Sequence, residues 1–174
     1  PDHKTLEQIE WDALQGISRP KLLELASCRF VEAAEDVVIA GPIGTGKTHL
    51  AIALGVEAAK RRIPVVFHKA ADLVRDLMEA RDERTLSRLH RRYQKVPLLI
   101  MDELGFVPLS KTGAELLFEL ISQRYERGAT LITSNLPFDE WTETLGSERL
   151  TGALLDRITH HVSILEMNGD SYRL

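Results

Sequence analysis

Five short apolar runs recur along this chain, each separated from the next by a stretch of helical periodicity. They are Asp36-Val37-Val38-Ile39-Ala40, Pro64-Val65-Val66-Phe67, Leu98-Leu99-Ile100-Met101, Thr130-Leu131-Ile132-Thr133 and Val162-Ser163-Ile164-Leu165. A strand covered on one face alternates apolar with polar residues, whereas a continuous apolar run belongs to a strand covered on both. With helices between successive runs, the strands are parallel, the crossovers right-handed and the helices spread over both faces of one sheet. Periodicity predicts helices over 47–60, 71–81, 84–94, 112–127 and 150–158, with Pro97 stopping the third and Gly128 capping the fourth. The expectation is an α/β fold with a five-stranded parallel sheet between helices. Its ligands bind beyond the carboxyl ends of the strands.

The 174 residues suit one domain, 1–174, in which 1–35 form a segment leading into the core. Hydrophobic residues at 44% with a net charge of −4 argue against disorder and against a uniformly basic nucleic-acid coat. No run approaches the ~18 apolar residues of a membrane span, so no membrane is expected. The single cysteine, Cys28, excludes a disulfide framework and a multi-thiolate metal site and fits a reducing cytoplasm. A start at Pro1 rather than Met reads as a piece of a longer chain.

The first run leads into Gly41-Pro42-Ile43-Gly44-Thr45-Gly46-Lys47-Thr48, which fits G-x-x-x-x-G-K-[ST] between a strand and a helix. Glycines let the loop turn its N–H groups around phosphate oxygens, and the following helix adds its positive end. Lys47 then bridges β- and γ-phosphates, and the Thr48 hydroxyl ligates Mg²⁺. Gly41 through Thr48, with His49 behind them, are the candidate nucleotide-binding residues. The third run ends in Asp102-Glu103. Carboxylates at the end of a buried strand cost several kcal/mol unless partnered, and a metal ion and a water are suitable partners. Asp102 is assigned to the Mg²⁺ shell and Glu103 to orienting or deprotonating the attacking water. An exposed acidic loop is the bland alternative. Together the two motifs predict nucleotide hydrolysis, and the two adjacent carboxylates favour ATP hydrolysis in an assembly over phosphoryl transfer to a small metabolite.

Thr133-Ser134-Asn135 puts an amide at the end of the fourth run, beside Asp102 if those strands pair. This resembles the sensor-1 position of AAA+ ATPases, where Asn reads the γ-phosphate and the attacking water; a helix cap before Pro137 is the alternative. Leu154-Leu155-Asp156-Arg157 resembles the helix that carries their arginine finger into a neighbouring subunit, although Arg157 could also be a surface residue paired with Asp156 or Glu148.

A narrower resemblance covers nearly the whole chain, from about Thr5 to Leu174. The motifs Gly46-Lys47-Thr48-His49-Leu50-Ala51, Arg124-Tyr125-Glu126-Arg127-Gly128, Thr133-Ser134-Asn135-Leu136-Pro137-Phe138, Leu155-Asp156-Arg157 and Gly169-Asp170-Ser171-Tyr172-Arg173 are similar to those of IstB-type transposition helpers. More loosely they resemble the DnaC and DnaI helicase loaders. The resemblance implies an AAA+ core that forms a homo-oligomer with ATP on DNA, hydrolyses ATP under stimulation by DNA and by oligomerisation, and assists a transposase in selecting and using target DNA. A replicative helicase is the partner under the alternative loader reading. Arg173 falls where the clade carries a sensor-2-like arginine. The chain ends soon after the fifth strand, leaving no room for a C-terminal helical lid, as in the helper clade.

From Arg81 to Lys95, six basic residues meet two acidic ones, so this segment is +4 and the remainder −8. Arg84, Arg88, Arg91 and Lys95 recur at helical spacing opposite Leu86, Leu89 and Tyr93. They are the DNA-contact candidates, with a merely solvated face as the alternative. A small-molecule kinase, its acidic substrate met by these arginines, is the rival from another class. His160-His161 are read as helix-end or packing residues, and Trp141 as an anchor for the loop after the fourth strand.

Overall fold

A computed structural model describes residues 18–44, 46–137, 140–141 and 162–166, the last by backbone alone. Its elements are α1 (Arg19–Ala26), α2 (Arg29–Glu32), β1 (Asp36–Ala40), α3 (Lys47–Lys60), β2 (Val65–Lys69), α4 (Ala70–Asp82), α5 (Leu86–Gln94), β3 (Leu98–Leu104), α6 (Lys111–Arg124), β4 (Ala129–Ser134) and β5 (Val162–Glu166). The strands lie in the order β2-β3-β4-β1-β5, and every neighbouring pair is parallel. β1 to β4 carry described side chains, while β5 contributes its pairing to β1. The helix expected over 150–158 and the region of the expected missing lid lie outside the described residues.

The continuous apolar runs divide their side chains between two faces, as the period of two requires. Val37, Ile39, Leu98, Ile100 and Leu131 join a core with α1, α2 and α3. Val38, Leu99, Met101 and Ile132 join a second core with α4, α6 and Tyr93 of α5. β1 and β4 are buried along their full length, whereas the edge strand β2 is half-buried. α3 approaches the sheet closely through Ala51, Ala53, Gly55 and Ala58. A Cβ at Gly55 would stand 2.9 Å from Ile100 Cδ1, so the end of that side chain would have to shift to admit one.

Two helix boundaries differ from expectation by more than one residue. α5 starts at Leu86 rather than Arg84, because Arg84 adopts a left-handed turn (φ 60°) that ends α4, and Thr85 N donates to Ala80 O at 2.7 Å. Arg84 therefore does not share the helical face of Arg88, Arg91 and Lys95. α6 ends at Arg124 rather than Arg127, and its C-cap is Tyr125 rather than Gly128. The cause is Arg124, whose buried guanidinium donates to Val96 O, Ala129 O and Thr130 Oγ1 at 2.6–3.0 Å and also to Tyr93 O. Gly128 is needed for close approach instead: a Cβ there would lie 2.8 Å from Val96 O.

The same network reaches Asp36, the first residue of β1. Its buried carboxylate accepts from Thr130 N at 2.8 Å, tying β1 to β4. Burial pushes Asp36 up from 3.8 to about 7, although the Thr130 N–H and the Arg124 charge pull the other way. Burial likewise brings Arg124 down to about 10, opposed by Asp36. The folded chain holds this proton up to about pH 7, while the unfolded chain releases it near 3.8. The contribution of Asp36 to stability is thus full below that lower value and lost as pH rises through about 7. Asp36→Asn keeps the acceptor without the charge. Urea unfolding of both chains at pH 5 and pH 8 should show the wild type losing roughly 2 kcal/mol more than the variant across this interval. Equal losses would remove Asp36 as the cause.

Candidate functional site

The loop after β1 begins as an extension of the sheet, with Gly41 N donating to Ser134 O of β4 at 3.1 Å. It then turns through Gly44 (φ 84°) and Gly46 (φ 91°), left-handed positions that a side chain would strain. Gly46 is the N-cap of α3, so the helix opens directly onto the loop. Lys47 is buried at the first helical position, and its Nζ donates to Pro42 O at 2.7 Å, which holds the ammonium over the loop. Thr48 Oγ1 donates to both carboxylate oxygens of Asp102, at 3.1 and 3.0 Å.

Asp102 and Glu103 are consecutive, and in a regular strand they would face opposite sides of the sheet. β3 avoids this with a bulge. Met101 pairs with Ile132 and Leu104 with Ser134, so Asp102 and Glu103 together oppose the single residue Thr133. Glu103 takes the extra position with a left-handed φ of 61°. Its N–H finds the Thr133 hydroxyl at 2.9 Å, and Thr133 Oγ1 donates in turn to Asp102 Oδ1 in a short hydrogen bond. Ser134 Oγ donates to Leu104 O at 2.7 Å, fastening the far side of the bulge. Lys69, at the end of β2, faces the Glu103 carboxylate at 3.8 Å.

These elements surround one cavity beyond the carboxyl ends of β1, β3 and β4. Ile43, Gly44 and Gly46 of the loop, Lys47 and Thr48 of α3, Glu103 of β3 with Phe106 after it, and Thr133 of β4 with Asn135 just beyond it line the cavity. Of the residues singled out in the sequence, Ile43, Gly44, Gly46, Lys47, Thr48, Glu103 and Asn135 meet here, with Asp102 joined through Thr48. Gly41, Pro42 and His49 are not in the lining, although Pro42 supplies the carbonyl that holds Lys47. Thr45, Arg157 and Arg173 lie outside the described residues. β3 and β4 are neighbours, as the placement of Asn135 beside the Asp102 strand requires.

The donor set suits a nucleotide and Mg²⁺. Asn135 Oδ1 is buried without a hydrogen-bond partner among the described residues, which leaves it able to accept from a ligand. Mg²⁺ is commonly held through one carboxylate and substrate phosphates, and the adjoining Thr48 hydroxyl and Asp102 carboxylate fit that chemistry.

Thr133, Lys69 and Phe106 were not singled out in the sequence. A threonine inside a β-branched run reads as a strand former, which conceals what its hydroxyl does. Phe106 is 60% exposed at the cavity mouth, carried by a turn in which its N–H donates to Glu103 O at 3.2 Å.

The basic stripe lies elsewhere, between β2 and β3. Arg88, Arg91, Arg92 and Lys95 are exposed, and none forms an ion pair with another described residue. His90 and Tyr93 form the buried side of α5, where Tyr93 Oη meets His68 Nε2 at 2.9 Å. Trp141 is buried and donates from Nε1 to Leu136 O at 3.1 Å, which anchors the segment after β4 as expected.

A parallel sheet covered on both faces, with a glycine loop opening a helix at its carboxyl edge, defines the class of phosphate-loop nucleotide-binding domains. Within that class the chain belongs to the IstB-like ATP binding proteins, whose family model matches residues 1–174. It is 43% identical over 171 residues to a provisionally named ATP-binding protein of insertion sequence IS21 from Pseudomonas aeruginosa, covering 98% of this chain and 64% of that one. A counterpart from insertion sequence IS232 of Bacillus thuringiensis is 38% identical over 174 residues, covering 100% and 70%. The chain thus spans about two thirds of these relatives. Among solved structures, DnaI superposes with a TM-score of 0.75 at 22% identity, covering 98% of this chain and 90% of that one. The DnaC helicase loader superposes at 0.68 with 25% identity, covering 90% and 97%.

Lys47→Ala removes the cation from the loop while leaving the sheet intact. Titration with a fluorescent ATP analogue should show affinity reduced by roughly 100-fold, as for loss of a charged hydrogen-bonding partner. Unchanged affinity would mean that the nucleotide lies elsewhere.

Proposed function

We propose that this chain binds ATP with Mg²⁺ in the loop cavity, hydrolyses it, and does so as part of an oligomer on DNA that assists a transposase. One observation carries the hydrolytic part: Lys47, Thr48, Glu103 and Asn135 converge on a single cavity, and Asp102 is fastened to Thr48 behind it. Mg²⁺, when bound, supplies charge neutralisation at the phosphates, and Thr48 and Asp102 are the residues to hold it. Lys47 and the loop N–H groups orient the phosphates. Glu103 positions or deprotonates the attacking water, and the side chain of Asn135 fixes that water against the γ-phosphate. Arg157 is proposed to complete the site from a neighbouring copy, where a permanent planar cation suits developing phosphoryl charge. Arg173 is proposed to reach the phosphates as a second sensor.

Glu103→Gln keeps the volume and removes the base. It should retain ATP binding and lose roughly 10²- to 10⁴-fold in turnover. Turnover at the wild-type rate would end that role for Glu103. The trans placement of Arg157 makes the rate per subunit rise with protein concentration and with DNA. A rate independent of both would defeat the oligomeric scheme.

The transposition role rests on family membership, since the named relatives are insertion-sequence proteins. The likeness to the DnaC helicase loader favours a second reading, in which the partner is a replicative helicase. Pull-down with each candidate partner in the presence of ATP separates the two. For DNA, the exposed basic stripe on and just after α5 is the proposed contact, with Arg84 set aside from the shared face. If Arg88 and Arg91 each meet a phosphate, the double Ala variant should flatten the log–log salt dependence of DNA binding by about 2. An unaltered slope would show that α5 is only a solvated face.

A further inference from the structure

We infer that Thr133 is a positioning residue for the reaction, and that its hydroxyl holds the β3 bulge in the form that turns Glu103 into the cavity while keeping Asp102 against Thr48. This inference rests on the hydrolytic reading above.

Three observations converge on it. First, the bulge sets two residues of β3 against one of β4, so the ladder has no backbone acceptor in register for the extra N–H. That N–H belongs to Glu103, and the Thr133 hydroxyl accepts it at 2.9 Å. Second, the same oxygen donates its own proton to Asp102 Oδ1, so one hydroxyl spans both acidic residues. Thr48 supplies the other protein hydrogen bonds to that carboxylate. Third, Thr133 is only 1% exposed and still lines the cavity. Its hydroxyl therefore works where water is scarce and a lost partner is costly.

Glu103 is held in a left-handed conformation that non-glycine residues rarely adopt, so something must stabilise it. Without the hydroxyl, the half-buried Glu103 N–H loses the acceptor that the bulge leaves it. The bulge can then relax toward a regular ladder, turning the Glu103 side chain away from the face that Asp102 occupies. Thr133 thus acts through Glu103 and Asp102 and makes no bond to a reacting atom.

Thr133→Val keeps the shape and removes the hydroxyl, while Thr133→Ser keeps the hydroxyl and removes the methyl. Two measurements on the full chain decide the matter. Amide hydrogen exchange at Glu103, followed by NMR without nucleotide, should quicken by roughly fivefold or more in the Val variant and return in the Ser variant. ATP turnover should fall by about 10- to 100-fold in kcat for Val, with KM within about twofold of wild type and recovery in Ser. Unchanged Glu103 exchange in a folded Val variant overturns the inference, as does wild-type kcat in that variant. If the Val chain does not fold, Thr133→Ala against Thr133→Ser makes the same comparison. If the unaltered chain turns over no ATP, the hydrolytic reading fails and the exchange result alone decides whether Thr133 holds Glu103.

Discussion

Asp102 is a carboxylate with 1% of its surface exposed, at the end of a strand covered on both faces. Such a group is tolerated only where donors surround it, and here they come from two other elements, Thr48 of α3 and Thr133 of β4. The geometry of the site follows from satisfying this one charge. Thr48 can reach it only if α3 starts directly beyond β1, which requires the loop to turn tightly through Gly44 and Gly46. Thr133 can reach it only if β4 lies beside β3, which the strand order provides. The phosphate loop and the acidic strand, distant in sequence, are thereby fixed in register.

A second buried charge organises the opposite end of the sheet. Arg124 draws together the end of α6, the turn after α5 and the start of β4, and its field reaches Asp36 on β1. It does not line the loop cavity. Its work is to set where α6 stops and β4 begins, and so to bring the far end of β4, with Thr133 and Asn135, level with the end of β3. One buried cation and one buried anion thus anchor β4 at its two ends.

The division between what the residues announce and what they conceal follows physical lines. Burial on both faces leaves a continuous apolar signature, so the strands, their parallel pairing and the alternation with helices could be read directly. The glycine loop could be read because few residue types tolerate its backbone. Helix ends were less legible where a long-range contact decided them. Arg124 reads as an ordinary last-turn cation, and nothing local shows that its guanidinium is buried against three segments. Arg84 lies in a pattern compatible with helix, yet the chain turns there to close α4. The bulge was invisible for a related reason: register is a property of two strands, whereas Asp102-Glu103 announces only the chemistry.

The bulge also sets fold and function against each other. A regular β3 would complete its ladder, relieve the left-handed backbone at Glu103 and free Thr133 from acting as a substitute acceptor. Deleting one residue there would therefore leave a better sheet and a worse site. Sequences chosen for thermal robustness alone would drift toward that deletion, so persistence of the extra residue in a lineage would be a record of selection for the site over the sheet.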